Sequence, residues 1–356
     1  MAVEMHRASF QQCDVVVIIP LHNAAQWLDD CLESVRQQNF SGSIQVSIFD
    51  DSSTDDSYDI AIHWKRLLDA CGIDVLIGRS EKASPSGVGF SKNRAIEQSY
   101  GEYLCFLDAD DVMTPLRISK QYNVARHNPN AIVGSRFIRD PPGSTERYTN
   151  WANNLISEQL YHQMYTSNGP TVIMPTWFCS RSVFDNVGGF AESGSGTPED
   201  LIFFYRHLSS GGQVIRVDDV LVTYRYHLTS VTFSISEDII WNCRVGAIQD
   251  CVINHWKQFT IWNAGKQGKR FYRSLSETNR KKVQAFCDVD IRKIDKGVYV
   301  YENCKIRPKP TIPIVHFTNA KPPFIICVKL NLTGGQLESN LASLNLQEGT
   351  DYIHFN

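Results

Sequence analysis

Short apolar runs alternate with stretches of helical periodicity through the first third of the chain. Residues 15–19 (VVVII) form a continuous β-branched run, which predicts a central strand buried on both faces. Pro20, Leu21, His22 and Asn23 end it, and Leu28, Leu32 and Val35 then recur at helical spacing. Residues 46–49 predict a second strand, closed by the polar stretch 50–56 that offers N-caps to a helix bearing Tyr58, Ile60, Ala61 and Trp64. Residues 75–77 read as a third strand, 84–89 as a flexible turn, and Lys92, Asn93 and Arg94 as the opening of another helix. A fourth strand, residues 103–107 (YLCFL), runs straight into Asp108, Ala109, Asp110 and Asp111. Such alternation implies an α/β domain with a parallel sheet, helices on both faces and right-handed crossovers. Ligands collect at the carboxyl ends of such strands, so the polar residues after strands one, two and four should share one edge.

The pattern loosens over 134–180, where 141–143 (PPG) and 169–170 (GP) mark loops. Residues 175–178 read as a strand or strand edge carrying Trp177 and Phe178, aromatics that suit either a sugar face or a core. After a turn at 188–190, Glu199 and Asp200 open a helix through Leu201, Phe203, Phe204, Tyr205 and Leu208. Acids in that position complement the helix dipole. Residues 220–227 predict a further strand ending in His227.

Residues 233–256 read as an amphipathic helical connector with Ile239, Ile240, Val245, Ile248 and Val252 on its apolar face. Beyond it, strand 259–262, the turn Asn263–Gly265–Gly268, a helix, and strand 283–286 ending near Asp288 follow the order of a dinucleotide-binding fingerprint. Asn263 replaces the first glycine, and Asn is the next best residue for a left-handed backbone. Arg270 stands where a P-loop needs Ser or Thr, which excludes that motif. Strands at 314–317, 324–328 and 352–355 and a helix at 337–344 complete a small Rossmann-like α/β module. It offers a candidate second nucleotide site at Asn263, Gly265, Gly268 and Asp288, or else serves as a structural or homo-oligomerising appendage. The expected division is a flexible tail 1–13, a first domain 14–232, the connector 233–256 and a second domain 257–356.

Composition narrows the functional classes. Of 356 residues, 42% are hydrophobic and 21% charged, as in a soluble globular protein. A net charge of −3 gives no reason to expect a nucleic-acid partner. The ten cysteines form no CxxC pair or zinc spacing and read as small core residues of a reducing compartment. No run approaches the roughly 20 apolar residues of a transmembrane helix, so a cytoplasmic protein is expected. Serine-hydrolase and HExxH zinc signatures are absent.

The chemistry concentrates at 106–111 (FLDADD). Carboxylates at the exposed end of a buried strand form an oxygen cluster suited to a hard divalent cation such as Mg²⁺. The alternative is an acidic strand-to-helix turn, with Asp111 or Thr114 capping a helix that has Pro115 in its first turn.

The segments IIPLHNAAQWLDDCLESVRQQ, FDDSSTDDS and KNRAIEQSYGEYLCFLDADD, in that order, resemble the nucleotide-sugar half of a family 2, GT-A-fold glycosyltransferase. The resemblance implies a UDP-sugar donor held by Mn²⁺ or Mg²⁺ at an Asp-x-Asp motif, here Asp108, Ala109 and Asp110. It implies that Pro20, His22 and Asn23 line the nucleoside site, that Asp50 or Asp51 accepts from the base, and that Arg94 lies against the nucleotide. Asp108 would meet ribose or metal, Asp110 would hold the metal, and His227 would join it or stand by the diphosphate. Asp200 would be the general base of an inverting transfer to a carbohydrate or glycoconjugate hydroxyl, with Glu199 orienting it and Trp177 and Phe178 on the acceptor side. With the tail KPPFIICVKLNLTGGQLESNLASLNLQEGTDYIHF, the chain resembles the eukaryotic β-1,3-N-acetylglucosaminyltransferase-like family, which implies a UDP-GlcNAc donor and a β-galactoside acceptor. The competing expectations are a nucleotidyltransferase- or dehydrogenase-like enzyme built on the second module, and a non-catalytic sensor of sugar nucleotides.

Overall fold

The computed structural model of the protein describes residues 13–194, 196–227 and 235–356. The expected N-terminal tail lies outside the described residues but for Cys13, as do Ser195 and the start of the connector at 233–234. The chain divides into two units, Met1–Ser157 with Val172–Ser236, and Glu158–Thr171 with Glu237–Asn356.

The strands of the first unit are β1 (Val15–Leu21), β2 (Ile44–Asp50), β3 (Asp74–Arg79), β4 (Tyr103–Phe106), β5 (Val112–Met113), β6 (Ala131–Asp140), β7 (Phe178–Ser180) and β8 (Gln213–Arg225). Its helices are α1 (Ala25–Arg36), α2 (Ser57–Ala70), α3 (Val88–Glu97), α4 (Arg117–Ala125) and α5 (Glu146–Asn154). α6 (Gln159–His162) belongs to the second unit, and α7 (Arg181–Val187) and α8 (Glu199–Ser209) return to the first. The sheet runs β3-β2-β1-β4-β7-β6-β8-β5. It is parallel from β3 to β4, but β7 is antiparallel to both β4 and β6, and β5 is antiparallel to β8. The all-parallel expectation is therefore corrected to a mixed sheet. An antiparallel neighbour needs no crossover helix, and the tight turn at Met174–Thr176 feeds β7 directly.

β1 lies between β2 and β4, and its residues 15–19 are wholly buried, as a run with apolar side chains on both faces requires. Leu28, Leu32 and Val35 of α1 close over one face. Register pairs Leu21 with Asp50 and Ile18 with Phe106, so the carboxyl ends of β1, β2 and β4 stand side by side at strand spacings of about 4.8 Å.

The second unit holds β9 (Phe259–Trp262), β10 (Val283–Asp288), β11 (Val298–Val300), β12 (Thr311–His316), β13 (Phe324–Ile326) and β14 (Tyr352–His354). Its remaining helices are α9 (Glu237–Cys251), α10 (Lys266–Ser274), α11 (Glu277–Arg280), α12 (Ile291–Ile294) and α13 (Gln336–Ser343). The sheet order is β11-β12-β10-β9-β13-β14, parallel except for the edge strand β11. Strand order thus reverses at β9, as in doubly wound sheets.

The expected domain borders differ from these units. Arg244 of α9 is buried and donates from Nε and Nη2 to the Tyr165 carbonyl at 3.0 and 2.6 Å, which ties residues 158–171 to this helix. The buried face of α9 runs through Trp241, Arg244, Val245 and Ile248, whereas Ile239 is exposed. No helix among the described residues is long and apolar enough to cross a membrane.

Candidate active site

The cluster after β4 is a tight turn. Asp111 N–H donates to the Asp108 carbonyl at 3.0 Å, and carboxylate oxygens of Asp108, Asp110 and Asp111 all lie within 4.8 Å of one another. Asp111 is wholly buried; its Oδ1 accepts from Arg225 N–H at 2.9 Å, and its Oδ2 is buried without a partner. It caps no helix: β5 intervenes, and α4 begins only at Arg117 behind Leu116. Asp108 Oδ1 is also buried and unpartnered. Burial, and then Asp110 and Glu199, push the Asp108 carboxyl up to about 6 against the pull of Lys92. Burial and then Asp110 and Asp108 raise Asp111 well above the usual carboxylate range. Three acids crowded this closely with two orphaned oxygens form a donor set for a divalent cation.

β8 supplies the other wall. Arg225 donates Nη1 to the Asp110 carbonyl at 3.2 Å and Nη2 to Asp30 at 2.6 Å. His227 places Nε2 2.7 Å from Asp110 Oδ2 and stacks on Trp27 at 4.1 Å between centroids. His227 thus stands beside Asp110.

After β2, Asp50 and Asp51 are both buried. Asp50 Oδ1 accepts from Ser53 N–H at 3.2 Å, and its Oδ2 lies 3.0 Å from Arg79 Nε as an ion pair. Asp51 Oδ2 accepts the backbone N–H groups of Ser86 and Gly87 at 2.8 Å each, which pins the turn before α3, while Oδ1 is buried without a partner. His22 Nδ1 lies 2.8 Å from the Asp51 carbonyl, and Asn23, at φ 48°, accepts Thr54 N–H at 2.8 Å. Pro20, His22 and Asn23 therefore line one rim with the residues after β2. Ala109 buries its methyl in the core, leaving its main chain as what it offers.

Glu199 and Asp200 open α8. A Cβ on Gly89 would run into the Ala191 carbonyl and sit 3.2 Å from Glu199 Cβ, so only glycine lets α3 approach this closely. The approach puts Lys92 Nζ 2.9 Å from Glu199 Oε1, with both side chains buried. Burial pulls the Lys92 ammonium down, but Glu199, Asp108 and Asp200 outweigh it and hold it above the usual lysine value. Asp200 accepts from Leu201 N–H at 2.6 Å; burial first and Glu199 second push it up to about 7. Asp108 and Asp200 lie close enough for the Asp108 charge to add to that rise. The acids after β4 and those opening α8 therefore belong to one electrostatic cluster around Lys92.

One expectation changes. Trp177 and Phe178 are 1% and 0% exposed, with Trp177 packed between Phe106, Phe203 and Phe204 and its Nε1 donating to the Val172 carbonyl at 2.8 Å. They are core, and no sugar can stack on them. Arg94 Nη2 pairs with Glu97 and Glu192 at 2.9 Å each, while Lys92 of α3 reaches the acids that open α8. Tyr148 and Tyr224 were not anticipated: burial first, and then Asp200 for Tyr148 and Asp111 for Tyr224, raise both hydroxyls, and Arg139 lies 3.9 Å over the Tyr224 ring. A lone lysine two residues before an arginine carries no signal until the turn of α3 is known, and aromatics in irregular or strand segments look like core.

Residues 16–188, from β1 through α7, match the family described as Glycosyl transferase family 2. The matched segment is just under half of the chain. The chain is 29% identical over 151 residues to a poly(ribitol-phosphate) beta-glucosyltransferase of Bacillus spizizenii, covering 41% of this chain and 23% of the relative. Glycosyltransferase GlyG of Streptococcus pneumoniae is 22% identical over 67% of this chain and 81% of its own length. Among solved structures, S. aureus TarS 1-349 in complex with UDP-GlcNAc superimposes with a TM-score of 0.50 at 17% identity, over 74% of this chain and 71% of that one. That likeness establishes the α/β GT-A-like fold. The family match ends before Glu199 and Asp200, so their place beside the Asp cluster rests on the geometry above.

Proposed function

We propose that the protein is a metal-dependent, inverting glycosyltransferase that moves a sugar from a UDP-sugar to an acceptor hydroxyl, with Asp200 as general base. The observation that carries this reading is the single cluster formed by Asp108, Asp110, Lys92, Glu199 and Asp200, in which Asp200 is pushed up to about 7. The donor set fits a divalent cation: Asp108 and Asp110 would hold Mn²⁺ or Mg²⁺, with His227 beside Asp110. Such a cation, when bound, neutralises the charge of the departing diphosphate.

The protein's own residues do the rest. Asp51 keeps a buried acceptor oxygen for a base N–H at the nucleoside rim formed with His22 and Asn23. A carboxylate titrating near neutrality is matched to removing a hydroxyl proton. Asp200 takes that proton as the acceptor oxygen bonds to the anomeric carbon and the bond to the diphosphate breaks on the opposite face, inverting the centre. Lys92 holds Glu199 in place and keeps the surrounding negative charge from driving Asp200 to a higher value still.

N-acetylglucosamine as the transferred sugar and a β-galactoside as acceptor are the finer form of this reading, supported by the tail resemblance. The TarS complex contains UDP-GlcNAc, which accords with it. A panel of UDP- and GDP-sugars with Mn²⁺, read as thermal protection and as UDP release, tests the reading. UDP-sugar turnover that persists undiminished in Asp200→Asn overturns it.

A further inference from the structure

The candidate second nucleotide site is taken up by its own turn. Asp288 Oδ2 accepts from Ala264 N–H and Lys293 Nζ at 2.9 Å each, and Asn263 Oδ1 accepts from Gly265 N–H at 2.6 Å. Beside the acids of the first unit, by contrast, three polar side chains stand without such partners.

β6 and β8 run parallel there, with Arg139 paired to Tyr224 and Phe137 to Val222. Side chains two residues apart share a sheet face, so Phe137, Arg139 and Tyr224 lie together on one face. Asn153 of α5 accepts from Phe137 N–H at 3.1 Å and donates to the Phe137 carbonyl at 2.8 Å. That clamp holds α5 to β6 and sets the Tyr148 ring 6.2 Å from Phe137, with Trp151 stacked on Tyr148 at 5.9 Å. The Arg139 guanidinium lies 3.9 Å over the Tyr224 ring and 5.4, 5.8 and 5.9 Å from the rings of Phe137, Tyr148 and Tyr226. Aromatic faces on several sides hold a cation in place.

Arg139 Nε donates to Thr145 Oγ1 at 3.0 Å, but Nη1 and Nη2 have no partner among the described residues. Nor do the hydroxyls of Tyr148 and Tyr224, both half-buried. Tyr224 directly precedes Arg225, whose N–H holds Asp111, and the Asp200 charge reaches the Tyr148 hydroxyl. Burial is the main cause that raises both hydroxyls, so both stay protonated and can donate. The three side chains thus adjoin both ends of the acid cluster, the turn after β4 and the start of α8.

We propose that Arg139, Tyr148 and Tyr224 form the acceptor subsite, and that it takes an acceptor carrying an oxyanion, a carboxylate or a phosphate, close to the hydroxyl that is glycosylated. The assignment to the acceptor rests on the reading of Asp200 as general base. The open edge of the guanidinium presents a planar fork of donors, the geometry that matches an oxyanion. The two phenols both donate and accept, as the hydroxyls of a sugar require.

The test titrates the full chain, alone and saturated with UDP and Mn²⁺, with methyl β-galactoside, its 6-phosphate and methyl β-galacturonide, followed by NMR. Both anions bind about tenfold or more tighter than the neutral sugar, and the tighter of the two distinguishes phosphate from carboxylate. Arg139→Gln removes the preference. Tyr148→Phe and Tyr224→Phe each weaken all three sugars about fivefold, the loss of one hydrogen bond. Should Arg139→Gln fail to fold, Thr145→Asp sets a carboxylate against the guanidinium from an exposed position and removes the preference instead. Absence of saturable binding of either anion, equal binding of the three sugars, or a preference that survives these variants each overturns the proposal. An Arg139-dependent preference in a chain that binds no UDP separates the two readings: the transferase falls and the oxyanion site stands.

Discussion

Lys92 Nζ lies 2.9 Å from Glu199 Oε1, and the two side chains are only 3% and 8% exposed. A buried pair is expensive to assemble and more expensive to break, because either partner left alone is an uncompensated charge. Lys92→Met should therefore cost about 3–5 kcal/mol of stability in chemical denaturation. Adding Glu199→Gln should recover much of that loss, since it removes the stranded carboxylate. A double variant no more stable than the single one would show that the pair is not coupled.

Asp200 titrates near 7 in the folded chain against an ordinary value of 3.8. With the folded value raised, the protonated form favours folding: this stabilisation is complete below about 4 and is lost as pH rises through about 7. A general base needs the opposite state, so kcat/KM should rise with pH through about 7 while this contribution to stability falls. Unfolding midpoints measured from pH 4 to 8 should fall less steeply in Asp200→Asn than in the native chain. Parallel curves would place the titration elsewhere.

Trp177 fills the core between Phe106, Phe203 and Phe204. Trp177→Ala should lower stability by about 3–5 kcal/mol. A contact residue would behave differently, raising acceptor KM with the unfolding midpoint unchanged. That second result would return Trp177 to the acceptor site.

Gly89 lets α3 meet the segment leading to α8. Gly89→Ala should push the helix away from Glu199 and lower transfer, with a destabilisation of about 1–3 kcal/mol typical of overpacking. Full activity with native stability would mean that the close approach is not needed.

Much of the fold was legible because its strands announce themselves. Residues 15–19 can be little but a strand buried on both faces, and each of β1, β2 and β4 stops at polar residues that the sheet then sets side by side. The turn at Asp108–Asp111 and the acids Glu199 and Asp200 were visible as charges where a run of apolar residues ends. What the sequence hid depends on packing between distant segments. The antiparallel insertion of β7 follows from a turn at Met174–Thr176 that has no strong signature. Lys92 outranks Arg94 only because α3 rotates it inward. The aromatics at 177 and 178 look alike whether they meet a sugar or a core. Residues 158–171 join the second unit through the Tyr165 main-chain carbonyl, which accepts from Arg244 and which no side-chain pattern reveals.

The account turns on the carboxylates after β4 gripping a diphosphate through a divalent cation. Titration calorimetry of UDP with and without Mn²⁺, in the native chain and in Asp110→Ala, tests this most directly. Mn²⁺ should tighten UDP binding at least about tenfold in the native chain, a difference of about 1.4 kcal/mol, and Asp110→Ala should abolish that gain. UDP that binds equally well without Mn²⁺, or a gain that survives in Asp110→Ala, would contradict it.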